Sequence, residues 1–295
     1  MISKNENKLI SRIIIGTAQL GEPYGISNKK KHINIKEQLN FLNFLYKNGF
    51  DSYDSAFAYK NSHNILGAWI KNNNILPNIY TKLPKLNNAN KSEINDIFCQ
   101  SLKQLNLNNI RGLFLHNSQD ILNLNINSFI EDIKKNNKIK SFGISIYEEK
   151  DIYCSNNISI IQAPGNIFNQ EIFSSDKINK LISNNIEIHI RSIFVQGLLF
   201  MNPNRIPRNL SVLTKPINYI QNIAKEIDVD ISIICILCIK KLMPEAKLVI
   251  GFENISQVSD FLKNQTKSVS NADLEEIIKF GKKNSHKLWD PRNWN

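Results

Sequence analysis

Residues 49–70, GFDSYDSAFAYKNSHNILGAWI, set a carboxylate and a phenol five positions apart. Asp54 closes an alternating, strand-like segment, Tyr59 follows in the turn, and an amphipathic run begins near Asn61. A lone acid before a helix is an ordinary N-cap, and a lone tyrosine there is an ordinary surface aromatic. Together they carry the parts of a proton-transfer site: a phenol that can give or take a proton and a carboxylate that sets the local charge. The decision rests on which other polar groups join them. Lys82 lies near the end of IYTKL, His116 ends GLFLH, Ser145 ends IKSFGIS and Gln162 lies near the end of ISIIQAP. Arg191 and Ser192 end IEIHIRS, and Gly251 lies near the end of KLVIGF.

These polar residues close short apolar, β-branched runs at 12–17, 50–54, 79–83, 112–116, 139–145, 158–164, 186–192 and 247–252. Helical patterns fall between them, at 35–49 with apolar positions 39, 42 and 45, and at 91–106 with Ser92 as its expected N-cap. Further helices fit 126–137, 174–184, 216–227 and 256–263. Strands alternating with helices imply parallel pairing through crossovers, and continuous apolar runs imply strands covered on both faces. Eight such units point to an α/β chain folded as a (β/α)8 TIM barrel; an open doubly wound sheet is the runner-up. With no Pro-, Gly- or Ser-rich linker, residues 1–295 are expected to form a single domain, with a tail at about 284–295 packing near the barrel mouth. Active sites of such barrels lie at the C-terminal ends of the strands, where these polar residues are expected to converge.

Composition narrows the partners. The chain has 295 residues, 42% hydrophobic, with no apolar run of the roughly 18–20 residues that span a bilayer. Its polar opening, MISKNENKLI, lacks the apolar core of a secretory signal, and no membrane partner is expected. The net charge of +11 comes from 37 basic and 26 acidic residues, but only NKKK at 28–31 is dense, and no arginine stripe interleaves with aromatics. A solvated basic face, helpful to an anionic cofactor or substrate, is therefore expected rather than a nucleic-acid site. Asparagine-rich loops read as compositional drift. Cys235 and Cys238 make a C-x-x-C pair inside the apolar run ISIICILCI, with no second pair or nearby histidine, so a buried helix in a reduced, cytoplasmic protein is expected and no metal site.

Taken in order, the motifs resemble the aldo-keto reductase family over nearly the whole chain. They are IIIGTAQLG, GFDSYDSAFAYKNSHNILG, YTKL, LFLHNS, SFGIS, IQAPGNIFN, RSIFVQGLL and VIGFENISQV. The family pattern D-T-A-x-x-Y-G stands here as Asp54-Ser55-Ala56-Phe57-Ala58-Tyr59-Lys60, with lysine in place of the last glycine. The resemblance implies an NAD(P)-dependent oxidoreductase whose barrel binds an extended nicotinamide cofactor without a Rossmann domain, and no G-x-G-x-x-G follows a strand here. It assigns Asp54, Tyr59, Lys82 and His116 as the catalytic set. Tyr59 would be the proton donor to a reduced carbonyl, its pKa lowered from about 10 by the Lys82 ammonium. Asp54 would hold Lys82, and His116 would orient the carbonyl.

Cofactor contacts carry over by position. Gly16 and Thr17 match the first strand, Asp54 the second, and Ser145 and Gln162 the groups that hold the nicotinamide carboxamide, although the asparagine usual after the serine is Ile146. Arg191 replaces a stacking aromatic, and a guanidinium plane can stack as well. Ser192, Phe194, Gln196, Gly197 and Leu198 match the pyrophosphate loop, and Gly251, Asn254 and Gln257 the adenosine end. Family habit favours NADP(H), while Glu253 at the expected 2′-phosphate position argues for NAD(H). The usual adenine-contacting asparagine falls on Phe261.

The expected substrate is a small aldehyde, ketone or sugar, anionic or sugar-derived, taken by a monomer or simple homo-oligomer. The opening GTAQLGEPYGISN is similar to reductases of bacterial sugar and surface-polysaccharide pathways. The alternative is a non-catalytic cofactor-binding regulatory subunit of the same fold, which loss of Tyr59 or Lys82 would have favoured. A hydrolase or lyase barrel would need a metal cluster or paired acids at the strand ends. Trp289 and Trp294 in the tail, with Tyr24, Trp69 and Phe168, either line the pocket or pack. His32 and His63 are expected in solvent and His189 as a satisfied interior histidine.

Overall fold

In a computed structural model the apolar runs become β1 (Ile13–Gly16), β2 (Ser52–Asp54), β3 (Asn78–Leu83), β4 (Ile110–Leu115), β5 (Ile139–Ser145), β6 (Ile160–Pro164), β7 (Glu187–Arg191) and β8 (Lys247–Ile250). The structure describes residues 9–22, 24–26, 34–153 and 155–294; the run 28–31, His32 and Cys154 lie outside them. All eight strands are parallel and ordered as in the sequence, and β8 pairs with β1 to close a barrel. Closure excludes the open sheet. The helices are α1 (Ala18–Gly21), α2 (Ile35–Lys47), α3 (Ser62–Asn73), α4 (Lys91–Leu105), α5 (Ile126–Lys135) and α6 (Asp176–Ser183). They continue as α7 (Thr214–Glu226), α8 (Ile231–Leu242), α9 (Ile255–Asn264) and α10 (Asn271–Lys283).

Period-2 alternation divides each strand between two cores. One side packs beneath the helices; the other faces the barrel axis, where Ile14, Tyr80, Phe114 and Ile160 form a small apolar plug with Val249 against it. Continuing two residues from the plug toward the C-terminal ends, β3 presents Lys82 after Tyr80, β4 leads to His116 after Phe114, and β6 presents Gln162 after Ile160. The plug therefore forms the floor and the polar residues the next layer. In β7 the same alternation gives Glu187, His189 and Arg191 from bottom to top, with His189 packed edge-on against Tyr80 and Phe114.

Asparagine has a defined local use. It caps the N-termini of α2 (Asn34), α4 (Asn90) and α9 (Asn254), and it takes left-handed backbone at Asn74, Asn87, Asn88, Asn106, Asn137 and Asn185. Asn90, not Ser92, caps α4: its side chain accepts from the Glu93 N–H while Glu93 returns a bond to the Asn90 N–H. α8 is the buried helix expected of ISIICILCI. Burial pushes the Cys235 thiol up and the Cys238 thiol to about 12, so both are held as unreactive thiols. Among the described residues no group of three or more His, Cys, Asp or Glu is placed to hold a metal ion, and no helix is long and apolar enough to cross a membrane.

Candidate active site

Asp54, Lys82 and Gln162 meet at the layer above the plug. The Lys82 Nζ donates to Asp54 Oδ2 at 2.5 Å and to the Ser55 carbonyl at 2.9 Å, with both side chains of the ion pair almost wholly buried. Gln162 Nε2 donates to Asp54 Oδ1 at 2.8 Å. A carboxylate only accepts, so the Gln162 amide must turn its nitrogen toward Asp54 and its Oε1 away. That Oε1 is buried and has no hydrogen-bond partner among the described residues. The Lys82 ammonium also lies 5.5 Å from the Tyr59 ring centroid and 5.9 Å from that of Phe114. Burial pulls the Lys82 pKa down and Asp54 opposes that pull.

Tyr59 is fixed by its turn. Its N–H donates to the Ala56 carbonyl, and its own carbonyl accepts from the Ser62 N–H at the start of α3. Gly21 of α1 approaches so closely that a Cβ there would stand 2.2 Å from the Tyr59 carbonyl oxygen. The Tyr59 ring stands perpendicular to that of His116, with centroids 6.2 Å apart. Burial and the Asp54 charge raise the Tyr59 pKa far above the ordinary phenol value, with Arg191 opposing. This corrects the expected depression by Lys82: Asp54 neutralises that ammonium at contact distance, so Tyr59 does not meet an uncompensated positive charge there. Burial, with the charges of Lys82 and Arg191, lowers His116 to about 4 and keeps its ring neutral near neutral pH.

Positions proposed for a cofactor divide by whether their polar atoms are committed. Ser145 and Gln162 are paired neighbours on β5 and β6, and the Ser145 hydroxyl makes no side-chain hydrogen bond among the described residues. An open hydroxyl beside an orphaned amide oxygen fits a ligand carboxamide, which carries both a donor and an acceptor. Ile146 is buried and its carbonyl accepts from Arg191 Nη2 at 3.0 Å. The Thr17 hydroxyl is spent on the Asp54 carbonyl (2.9 Å) and Ser62 Oγ (2.8 Å), making it a clip between β1, β2 and α3. Gly16 pairs in register with Asp54, and Gly251 lies against the Gln19 side chain, whose Nε2 donates to the Phe252 carbonyl.

After β7, Ser192, Val195, Gln196 and Gly197 take left-handed backbone, turning the 192–198 loop across the mouth. The Gln196 carbonyl there accepts from the Ile26 N–H at 3.1 Å. Leu198 is fully buried, whereas Phe194 is half-buried and packs on Phe200. Asn254 caps α9 through Gln257 N–H, and Gln257 accepts from the Glu253 N–H. Phe261 packs in the core with Phe50 and Phe252.

Other expectations resolve locally. His63 is buried rather than solvated, bonded to Thr81 Oγ1 (2.7 Å) and Gln104 Oε1 (3.3 Å). His189 is half satisfied: Nε2 meets Glu187 Oε1 at 2.6 Å, while Nδ1 has no partner among the described residues. Trp69 and Phe168 pack in the core, and Trp289 stacks on Phe168 at 4.0 Å, so these rings build the scaffold. A cavity of about 430 Å³ opens at the N-terminal end of the barrel, lined by Asp51, Asn78, Arg111 and Lys247 among others. It touches none of Asp54, Tyr59, Lys82 and His116, so side-chain chemistry locates the candidate site here, not cavity size. Sequence reasoning missed Gln19, Gly21, Tyr147 and Arg292. Only Gly21 left a signal, a glycine at the end of a short helical turn.

A closed parallel eightfold barrel thus carries an ion pair, a phenol and an imidazole at the C-terminal ends of its strands. The chain matches the Aldo/keto reductase family over residues 12–281 and belongs to that family, which makes it an NAD(P)-dependent oxidoreductase. Among solved structures it is similar to the thermostable aldo-keto reductase Tm1743, at 16% identity and TM-score 0.70 over 91% of this chain and 94% of that one. It is also similar to an aldo-keto reductase of the silkworm Bombyx mori (14%, TM-score 0.67, 94% and 87% covered) and to one of Brucella melitensis (15%, TM-score 0.66, 91% and 94% covered). At such identities the likeness is one of fold. No curated protein matches the sequence.

Proposed function

We propose that the protein reduces a small aldehyde or ketone, with Tyr59 as proton donor and Asp54, Lys82 and His116 as its supporting groups. The observation that carries this reading is the buried Lys82–Asp54 pair beside a protonated phenol that stands edge-on to a neutral imidazole. A nicotinamide bound at the mouth supplies the hydride. Ser145 and Gln162 hold its carboxamide through the open hydroxyl and the orphaned Oε1. Gly16, Thr17 and Arg191 border it, residues 192–198 cover the pyrophosphate, and Gly251, Asn254 and Gln257 meet the adenosine.

Each protein group then has one task. Tyr59 Oη delivers its proton to the carbonyl oxygen as negative charge develops there. An alkoxide is a far stronger base than a phenolate, so a raised phenol pKa still leaves that transfer downhill. Lys82, kept charged and aimed by Asp54, stands 5.5 Å from the Tyr59 ring centroid, and the positive field of Arg191 favours the phenolate left behind. Neutral His116 has one ring N–H to orient the carbonyl. NADP(H) is proposed on family habit, with Glu253 admitting NAD(H). Titrating the protein with NADPH and with NADH, followed by fluorescence quenching, tests this: saturable binding of either is expected. Failure of both at millimolar concentration would overturn it.

A further inference from the structure

Arg191 stands out in the mouth because no carboxylate among the described residues makes an ion pair with it, Asp290 sensing its charge only at longer range. Asp54 is neutralised by Lys82, Glu187 is paired with Lys247 and His189, and Asp290 is paired with Arg292. Among the described residues the Arg191 side chain makes two hydrogen bonds, Nη2 to the Ile146 carbonyl at 3.0 Å and Nη1 to Ser192 Oγ at 3.5 Å. No described carboxylate is in ion-pair contact with it. Two bonds leave most of the five guanidinium N–H groups uncommitted. Burying such a cation without a partner is costly, and a half-buried guanidinium with free donors is a ready site for an oxyanion.

The guanidinium is held in place rather than mobile. Its Cζ lies 4.5 Å from the centroid of the Tyr147 ring, and a second guanidinium, Arg292 of the C-terminal tail, lies 3.8 Å from the same centroid. Arg292 is in turn fixed by Asp290 through Nε (2.8 Å) and Nη2 (2.5 Å) and lies 3.9 Å from Glu148. The tail thus delivers a cation to the ring that carries Arg191. Asn209 anchors that tail by donating its side-chain amide to the Trp294 carbonyl at 2.8 Å. Arg191 is also near the chemistry, since its positive field acts on Tyr59, Lys82 and His116.

We propose that Arg191, backed by Tyr147 and Arg292, binds an oxyanion carried by the substrate, so that the preferred substrate is an aldehyde or ketone bearing a carboxylate or phosphate near its carbonyl. This rests on the carbonyl-reductase reading above. The guanidinium edge pairs with either oxyanion through two parallel N–H···O bonds. Tyr59 and His116, reached by the same field, address the carbonyl end.

The test compares matched substrates in wild type, Arg191→Gln, Arg191→Lys and Arg292→Gln: 4-carboxybenzaldehyde with benzaldehyde, and glyceraldehyde 3-phosphate with glyceraldehyde. In wild type kcat/KM should favour the charged member of at least one pair by about tenfold or more, and the pair that responds names the oxyanion. Arg191→Gln should bring that ratio close to one, Arg191→Lys should keep part of it, and Arg292→Gln should lower it less. Equal ratios in wild type and Arg191→Gln would overturn the proposal. So would an Arg191→Gln effect confined to cofactor affinity, measured by separate titration, because the arginine would then serve the cofactor. If cofactor-loaded protein turns over no carbonyl at all, the reductase reading fails on its own account. Fluorescence-detected binding of benzoate and methyl phosphate then decides the anion site: Arg191-dependent binding supports it, and no binding overturns it.

Discussion

Removing both members of the Lys82–Asp54 pair should cost less than the two single removals combined. At 2.5 Å, with an effective dielectric of about 20, the two charges attract by about 7 kcal/mol, partly offset by several kcal/mol of desolvation for each ion. Asp54→Asn leaves a buried ammonium with neutral acceptors and two ring faces but no countercharge, and Lys82→Met leaves a buried carboxylate with only Gln162. Each single change should destabilise by about 3–5 kcal/mol, the cost of an uncompensated buried charge. The double variant buries no net charge, so its loss should fall short of the combined single losses by about 2–3 kcal/mol. Urea unfolding of the four proteins at pH 7, followed by circular dichroism, measures this cycle. Simple additivity would refute the reasoning, because it would mean that the two groups do not sense each other in the folded protein.

Acid should destabilise through His63, whose pKa burial lowers to about 4 from an ordinary 6.5. The unfolded chain takes up that proton first, so this contribution is intact above about pH 6.5 and is lost as pH falls toward 4, reaching about 2 kcal/mol at pH 5. His63→Gln should flatten that slope in urea unfolding between pH 7 and 5, and an unchanged slope would rule His63 out. Lys60 holds left-handed backbone at φ 38° beside Tyr59, with an exposed ion pair to Glu22 as its compensation. Since left-handed backbone costs a non-glycine residue about 1 kcal/mol and an exposed pair returns less, Lys60→Gly should leave stability unchanged or raise it by up to about 1 kcal/mol. A loss of stability would show that the Glu22 contact matters more than the strain.

The barrel was legible because each strand announces itself as an apolar run, and six of them, β2 to β7, also by a polar residue at or near the end. Alternation along β3 and β6 carries Lys82 and Gln162 to the layer where β2 delivers Asp54, so these three could be grouped before any fold was known. What escaped depends on distances between segments far apart in sequence. His63 looks like a polar residue at a helix start, yet Thr81 and Gln104 satisfy both its nitrogens and let it be buried. Asn90 and Ser92 are equally good caps by type, and the reciprocal bond to Glu93 selects Asn90. The Tyr59 pKa depends on how completely Asp54 cancels Lys82, which residue types alone cannot show. The tail arginine on Tyr147 left no local signal, because the two residues are brought together only when the tail folds over the mouth.

Tyr59→Phe tests the central claim most directly, because it deletes the proposed proton and leaves the ring, the turn and the cofactor positions in place. Cofactor titration and steady-state reduction of 4-carboxybenzaldehyde would be followed on the same preparation. Unchanged cofactor affinity with kcat lowered by about 10²–10⁴-fold, the typical worth of a positioned general acid, is the predicted result. Turnover near that of the wild type, with the cofactor bound as tightly, would contradict the account and require a different proton donor.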